Sequence, residues 1–267
     1  MLVFDPELAA KMKMPKELLE RAKELHLTIH IGIDRVHASV FDFNSSSCFW
    51  HVHSDLPFGL EPYQFIYQRN WMEAVFRKCS ITFDTDTYSL VPQSLFDPSL
   101  CADYLQMQHG VMSNAPAYTE LSEAQAVLCF EGPDWQNDII RLIPNARIMP
   151  LGALLTRLAI IKAQSADVGF ILAVSSGMVT MAGWKNKNLV LLATHDARTP
   201  EDVLYHTSNA ALRLQIDMET CHAELLQTIP DDEMGKLLGR YLKVCAPLSL
   251  PVIADAPAIT QLHYLCA

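Results

Sequence analysis

The chain has 267 residues, of which 50% are hydrophobic, enough for the core of one large domain or of two domains of ordinary size. Its formal net charge of -10 argues against a broad electrostatic surface for nucleic acid or an anionic membrane. No stretch has the roughly 18 consecutive apolar residues of a transmembrane helix, and the first residues lack the pattern of an export signal. We therefore expect a cytoplasmic protein that binds neither nucleic acid nor membrane.

The first 24 residues predict a helical N-terminal appendage. Asp5-Pro6 has the form of a helix start, and Lys16 to Leu25 reads as a charged amphipathic helix. A meander of three short strands follows, because apolar and polar residues alternate and turn-forming residues separate the runs. We predict these strands at Leu27–Ile33, Val36–Phe41 and Cys48–Val52, leading into a helix that begins near Pro62 and extends to Phe76.

Short strands and helices alternate from there to residue 164, where a first half-domain (residues 25–164) ends. The predicted strands are Ile81–Phe83, Tyr88–Val91 and Ala124–Phe130. The predicted helices are Asp97 to about Gln108, Pro133–Leu142 and Leu151–Ala163. Residues 110 to 122 are expected to be irregular.

The same order returns in a second, shorter half-domain, residues 165–267. Its three strands, Val168–Val174, Met178–Ala182 and Leu189–Ala193, are nearly continuous apolar runs, which is typical of a sheet covered on both faces. Thr199 and Asp202 form a box-like start for the next helix. A strand at Thr220–Leu226, a helix at Asp231–Leu242 and a last strand at Leu248–Ile253 complete the half. Because the chain ends soon afterwards, we expect a cross-over helix to be lost there.

A meander that feeds a helix, followed by alternating strands and helices and then repeated, resembles the duplicated actin-like ATPase fold, an α/β fold with ribonuclease H-like halves. The segments Val91-Pro-Gln-Ser-Leu-Phe96 and Thr199-Pro-Glu-Asp202 are similar to a bacterial family of unknown function that has this fold and is related in fold to pilus-assembly ATPases. The resemblance implies ATP and Mg²⁺ between two hairpin turns, one after the first strand of each half, where small residues admit phosphate and a carboxylate positions the metal.

The candidate cofactor-binding residues are those of the two turns, and both turns are degenerate. The first turn contains Asp34 and Arg35 but lacks the Asp-x-Gly-Thr pattern and the lysine that should follow. The second contains Ser175, Ser176 and Gly177, which are small enough to admit phosphate, but it has no aspartate.

The glycine-rich adenosine site is also degenerate. Its best match, Glu131-Gly132-Pro133, offers a single glycine before a proline. With all three nucleotide elements altered, the sequence predicts a pseudo-ATPase.

We therefore expect a non-catalytic scaffold that binds a protein partner or itself. The alternative is a protein that binds ATP or another phosphate ligand between the two turns with weak or no hydrolysis. A small-molecule hydrolase with an unrecognised site is a third possibility. A scaffold should have its cleft plugged by side chains such as Ile33, Val36 and Met178, whereas a ligand-binding cleft should be open.

Two further constellations allow metal binding, but we assign no metal ligands. Four histidines, His30, His37, His51 and His53, are expected on the sheet face opposite the apolar one, where they either bind Zn²⁺ or Ni²⁺ or are simply surface residues. Asp84 and Asp86 either hold a divalent cation or form an ordinary turn. The seven cysteines have no Cys-x-x-Cys spacing and read as reduced, buried thiols.

Overall fold

The computed structural model describes residues 13–45, 47–56, 66–67, 69–228, 231–250 and 256–266. Within these ranges the strands are β1 (Leu25–Ile31), β2 (Arg35–Asp42), β3 (Cys48–Asp55), β4 (Lys78–Phe83), β5 (Tyr88–Pro92), β6 (Pro116–Leu121), β7 (Ala126–Glu131), β8 (Ala146–Pro150), β9 (Val168–Ser175), β10 (Met178–Lys185), β11 (Asn188–Asp196), β12 (His222–Gln227) and β13 (Val244–Pro247). The α-helices are α1 (Lys16–Glu20), α2 (Cys101–His109), α3 (Gln136–Leu142), α4 (Leu151–Lys162), α5 (Pro200–Arg213), α6 (Asp232–Leu238) and α7 (Ala258–Cys266).

Two five-stranded sheets have the same topology. The first has the order β3-β2-β1-β4-β8 and the second the order β11-β10-β9-β12-β13. In each, three antiparallel strands form a meander and two further strands run parallel to its first strand. The segment of the chain between β4 and β8 forms a third sheet, with the strand order β5-β7-β6, which packs against α2. The meanders that the alternating apolar residues predict are therefore present in both halves.

The last helix of each half packs on the sheet of the other half. Helix α4 follows β8 of the first sheet but lies against β10 and β11 of the second. Helix α7 follows the second sheet but lies against β1, β2 and β4 of the first, and the two helices contact each other. One hydrophobic core therefore spans both sheets, with Ile29, Leu154 and Ile171 fully buried in it.

The other face of the second sheet has a hydrophobic cluster of its own, separate from the shared core. Phe170 of β9 and Val203 of α5 belong to a second cluster, which covers the other face of the second sheet. Both faces of the second sheet are thus covered, as its continuous apolar runs predict. Thr199 caps α5 in a full capping box with Asp202, as predicted.

Several predicted elements in the first half differ from the structure. The N-terminal helix is shorter than predicted, because it ends at Glu20 and β1 already begins at Leu25. Asn70–Glu73 is a single 3-10 turn, and Val75 is exposed and lies outside any helix. The prediction of a helix that extends to Phe76 is therefore wrong for this part of the chain. The helix starts predicted at Asp5-Pro6 and near Pro62 lie outside the described residues.

Two strands were missed between residues 110 and 150. The segment expected to be irregular contains β6, whose alternating burial is built from small and polar residues that give little apolar signal. Strand β8 carries an alanine and an arginine in a five-residue run, too short and too polar to be recognised from its pattern.

The prediction of a lost cross-over helix is wrong. Helix α7 is present in the last described residues and carries the buried Ile259 and Leu262. The last strand is β13, at Val244–Pro247, instead of the predicted Leu248–Ile253, of which 251–253 lie outside the described residues. Because β13 is an edge strand, it tolerates Pro247. A proline argues against a strand when only the sequence pattern is read, so β13 was not predicted.

Helix α7 should contribute to the stability of the whole chain through Leu262, which is fully buried in the shared core. We expect Leu262→Ala to lower the free energy of unfolding by about 2 to 5 kcal/mol, because it removes buried apolar atoms and leaves a cavity. Leu265→Ala on the same helix is the matched control, since Leu265 is 39% exposed and should cost less than about 1 kcal/mol. Urea denaturation measures both, and equal losses in the two variants would contradict the packing described for α7.

Candidate functional site

The second turn, where β9 meets β10, opens onto a cavity of about 240 Å³. We call this cavity the second-turn pocket. Ser175, Ser176 and Gly177 line one side. Arg198 and Thr199 at the start of α5 line another, and the end of β12 with the start of α6 completes it. Three of the five predicted cofactor-binding residues therefore share one concave site.

Gly177 gives this turn its shape. Its φ of +75° lies in the region that favours glycine, and an added Cβ would meet no atom within 4 Å. The carbonyl of Gly177 accepts a hydrogen bond from the Ala197 amide at 2.9 Å, which holds the turn against the loop before α5. The space in front of the glycine is thus left open toward the pocket.

The first turn is not part of this pocket. Ile33 is 57% exposed and Asp34 is exposed as well. The guanidinium of Arg35 is bound to Asp55 of β3, with its Nε 2.8 Å from Oδ1, and points to that strand. The structure therefore does not bring Asp34 and Arg35 into the cavity with Ser175, Ser176 and Gly177.

Asp84 connects the two turns. It follows the carboxyl end of β4, its side chain is only 3% exposed, and the side chain of Ser175 is near enough to lower its pKa. A Cβ on Gly32 of the first turn would lie 3.4 Å from Asp84 Oδ2. Burial, together with the negative charge of Asp34 and against the lowering effect of Ser175, raises the pKa of Asp84 to about 7.

The histidine-bearing face of the first sheet has the predicted register. His37 pairs with His30 on one side and with His53 on the other, and Ser39 pairs with His51. The expectation that these are surface residues is wrong for His30 and His37, which are 0% and 5% exposed because α7 covers them. In the described residues no group of three or more His, Cys, Asp or Glu side chains has the geometry of a metal site.

A network of polar side chains lies beneath α7. Ser39 Oγ donates to Thr260 Oγ1 at 2.9 Å, and His26 Nε2 lies 2.9 Å from Ser80 Oγ. Thr82 Oγ1 is hydrogen-bonded to Nε2 of His263 on α7. These contacts satisfy polar groups that would otherwise be costly to bury.

Burial keeps the histidines under α7 neutral. It lowers the pKa values of His26, His30 and His37 to about 3 each, and it holds the pKa of His263 well below its ordinary value. Neighbouring positive charge acts in the same direction, from Lys78 on His26 and from the other histidines on His37 and His263. The imidazoles of this layer are therefore neutral near neutral pH, and both ring nitrogens of His37 lack a hydrogen-bond partner among the described residues.

Thr82, His30 and Asp84 have the order of a hydroxyl, an imidazole and a carboxylate in a nucleophilic triad. His30 Nδ1 is 3.1 Å from Thr82 Oγ1, and its Nε2 is 3.6 Å from Asp84 Oδ1. Thr82 is 1% exposed, however, and its hydroxyl is engaged by His263. A substrate has no access to that hydroxyl, so the arrangement does not support a hydrolase.

Sequence reasoning did not connect Asp84 with the second turn, and its best match to an adenosine site does not lie at the second-turn pocket. Glu131-Gly132-Pro133 lies at the end of β7 in the three-stranded sheet, where Glu131 and Gly132 bond with residues 113 to 115. The cavity beside this segment shares no residue with the second-turn pocket. The signal for Asp84 was its position directly after a buried strand, since ligand sites in α/β folds gather at the carboxyl ends of strands.

Comparison with known proteins identifies the family and the fold. A family model described as Protein of unknown function (DUF3822) matches residues 16–245. Comparison with curated proteins gives no match.

Solved structures similar to this chain include a protein from Bacteroides thetaiotaomicron with an actin-like ATPase fold and unknown function. It has a TM-score of 0.81 at 15% sequence identity, over 95% of this chain and 100% of the other. A chain of the PilM-PilN type IV pilus biogenesis complex has a TM-score of 0.57 at 12% identity, over 89% of this chain and 94% of the other. The actin-like ATPase fold and the family of unknown function that the sequence predicts are thus confirmed.

The helices in the described part of the chain are all too short or too polar to cross a membrane.

The buried histidines should make the protein sensitive to acid. A histidine whose pKa falls from about 6.5 in the unfolded chain to about 3 in the fold binds a proton only on unfolding, so its contribution to stability is lost as the pH falls below about 6.5. We expect His26→Gln to reduce the slope of unfolding free energy against pH by about 1.4 kcal/mol per pH unit between pH 6 and 4. Urea denaturation across this range measures the slope. His51→Gln, at an exposed position on β3, should leave the slope unchanged, and a His26→Gln slope equal to that of the unmodified chain would contradict the assignment.

Asp84 should have the opposite effect on stability. Because the pKa of Asp84 is raised to about 7 in the fold, the folded state keeps a proton that the unfolded chain loses above about pH 4. The free-energy cost of burying Asp84 therefore increases from pH 4 to 7. We expect Asp84→Asn to raise the free energy of unfolding at pH 8 by about 2 to 4 kcal/mol, with the advantage disappearing at pH 4. Denaturation at the two pH values tests this. Asp86→Asn, at an exposed position two residues away, is the control and should change little at either pH.

Proposed function

We propose that this chain, which belongs to the family Protein of unknown function (DUF3822), binds a phosphate-bearing ligand in the second-turn pocket. The observation that carries the proposal is the open cavity of about 240 Å³ in front of Ser175, Ser176 and Gly177. This volume is below the usual range for a drug-sized ligand, so it suits a phosphate with a small group, or part of a nucleotide.

The side chains expected to plug a scaffold's cleft do not do so. Ile33 is 57% exposed, and Val36 is fully buried in the core between the two sheets. Met178 is half-buried and does not line the second-turn pocket. By the criterion set from the sequence, this arrangement supports the ligand-binding alternative over the plugged scaffold.

The chemistry of the pocket supports an anionic group. Arg198 supplies a positive charge, Gly177 allows close approach of the backbone, and the 14-residue helix α5 begins at the pocket wall. Asp231 also lines the pocket, but its Oδ1 accepts a hydrogen bond from the Glu233 amide at 2.8 Å and caps α6. Half-domains at residues 25–164 and 165–267, as in the duplicated fold, remain part of this proposal.

We propose binding with weak or no hydrolysis. Asp84 lies near Ser175 of the second turn, but it is buried, and burial raises its pKa to about 7. Arg35, the cationic residue of the first turn, is engaged by Asp55. These two features support a pseudo-ATPase.

Protein binding is a second candidate function, and the two are compatible. Apolar side chains on and beside α2 are strongly exposed: Leu95 is 70%, Met107 87% and Val111 97% exposed. Exposed apolar groups of this kind are common at protein interfaces. One of the structurally similar chains belongs to the PilM-PilN complex, which supports a protein partner or self-association on this fold.

Ligand binding should appear as a rise in melting temperature. We expect one of inorganic phosphate, pyrophosphate, Mg-ADP or Mg-ATP to stabilise the chain in a saturable manner, by about 2.7 kcal/mol at one hundred times its Kd. Differential scanning fluorimetry with each compound measures the shift. Gly177→Val and Arg198→Ala should remove it, because they fill the space before the turn and delete the pocket's positive charge.

Gly110→Val is the matched control for Gly177→Val. Gly110 follows α2, has a φ of +81° and also has no atom within 4 Å of an added Cβ, so both substitutions strain the backbone similarly while only one touches the pocket. Gly110→Val should keep the full ligand shift. The ligand-binding proposal is wrong if no compound shifts the melting temperature, or if the shift survives both pocket substitutions.

A further inference from the structure

The face of the first sheet that lies beneath α7 is polar. The buried polar side chains of β1, β2 and β4 that share this face by strand register are His26, Thr28, His30, His37, Ser39, Ser80 and Thr82. We call these residues the covered face, and each of them is at most 5% exposed. On α7 itself, Thr260 and His263 bond to the covered face, whereas Ile259 and Leu262 belong to the shared apolar core. The contact between α7 and the sheet is therefore mainly polar.

Some of the ring nitrogens in this contact have no hydrogen-bond partner among the described residues. They are both ring nitrogens of His37, Nε2 of His30 and Nδ1 of His263. The rings pack on one another, with centroid distances of 6.2 Å from His30 to His37 and from His30 to His263. A buried polar group without a partner costs free energy that is recovered when the group meets water. The docked position of α7 thus carries a cost that its departure removes.

The first sheet does not need α7 for its own hydrogen bonds. Strand β1 is paired on both sides, with β2 and with β4, and α7 adds no strand. The described hydrogen bonds between the covered face and α7 join Ser39 Oγ to Thr260 Oγ1 at 2.9 Å and Thr82 to His263. Water can replace both of these side-chain bonds. Removing α7 therefore wets the covered face and leaves the strand pairing intact.

We propose that α7 leaves and rejoins the covered face while both sheets stay folded, and that acid drives its departure. The helix is then a reversible cover over a surface of histidines and hydroxyls. This inference follows from the contacts of α7 and does not depend on a ligand in the second-turn pocket.

The surroundings of the buried imidazoles explain the direction of the acid effect. Besides one another, these imidazoles face Asp34, Arg35, His53, Lys78, Asp84 and Tyr264. Burial and the neighbouring positive charges outweigh the opposite effect of Asp34 and lower the pKa of His37 to about 3. An imidazole in water has its ordinary pKa of about 6.5. The open form therefore binds protons at pH 5.5 that the closed form does not bind, so the closed form loses stability as the pH falls below about 6.5.

Native-state hydrogen exchange measures the departure of α7. We would record exchange of the full chain without added ligand at pH 7 and at pH 5.5, and correct each amide for its intrinsic exchange rate at that pH. At both pH values we expect the amides of α7 to exchange at least about tenfold faster than those of β1 and β10. From pH 7 to pH 5.5 the corrected rate of α7 should rise at least about eightfold, which is the value for one histidine that gains a proton on release.

Two substitutions on the covered face should change the exchange of α7 in opposite directions. His37→Leu removes two unpartnered ring nitrogens, so the corrected rate of α7 should fall at least about fivefold. Ser39→Ala removes the hydrogen bond to Thr260 and should raise the rate. His51→Leu, at an exposed position on β3, is the matched control for His37→Leu and should leave the rate unchanged.

The proposal is overturned if α7 exchanges at the same rate as β1 and β10, because the helix would then leave only when the whole chain unfolds. A corrected rate that does not rise at pH 5.5, or one that His37→Leu does not lower, would also overturn it. If His37→Leu does not fold, the comparison of the two pH values in the unmodified chain still decides. None of these results depends on whether phosphate compounds change the melting temperature.

Discussion

The burial of a polar sheet face beneath α7 is the constraint on which the rest of the first half depends. Burying such a face is costly wherever a polar group finds no partner, and both ring nitrogens of His37 have none in the described residues. Ser39 finds Thr260, and Thr82 finds both His30 and His263. The same exclusion of water sets the pKa values of the histidines low and that of Asp84 high. The low pKa values of the histidines on this face are therefore a consequence of how α7 covers the first sheet.

The exchange of helices between the two sheets gives the cleft its rigid base. Because α4 lies on the second sheet and α7 on the first, and each contacts the other, the two turns are held by a common core. Asp84 can then remain in contact with Ser175 of the opposite half. The chain has the actin-like ATPase fold, and a fold alone does not determine what its cleft binds.

The sequence predicted what periodicity and turn chemistry encode locally. The two meanders, the capping box at Thr199 and the small second turn follow from alternating apolar residues and from short-range preferences. Burial of His30 and His37 was not predictable, because it depends on a helix more than 200 residues away along the chain. From the sequence Asp84 was only one of two aspartates that either hold a cation or form an ordinary turn, since its proximity to Ser175 exists only after the two sheets pack together. Strands β6 and β8 were not predicted for a simpler reason, because neither has a strong apolar pattern.

The position of α7 also determines when the protein can become complete during synthesis. Ser39 and Thr260, which meet in the fold, are separated by 221 positions. If the first sheet forms while the ribosome makes the second, we expect its histidines and hydroxyls to stay open to water until α7 has been made. Contacts of such long range slow the final step of folding. Until then the nascent first half presents a wet, polar surface, which is less prone to aggregate than an apolar face would be during the same delay.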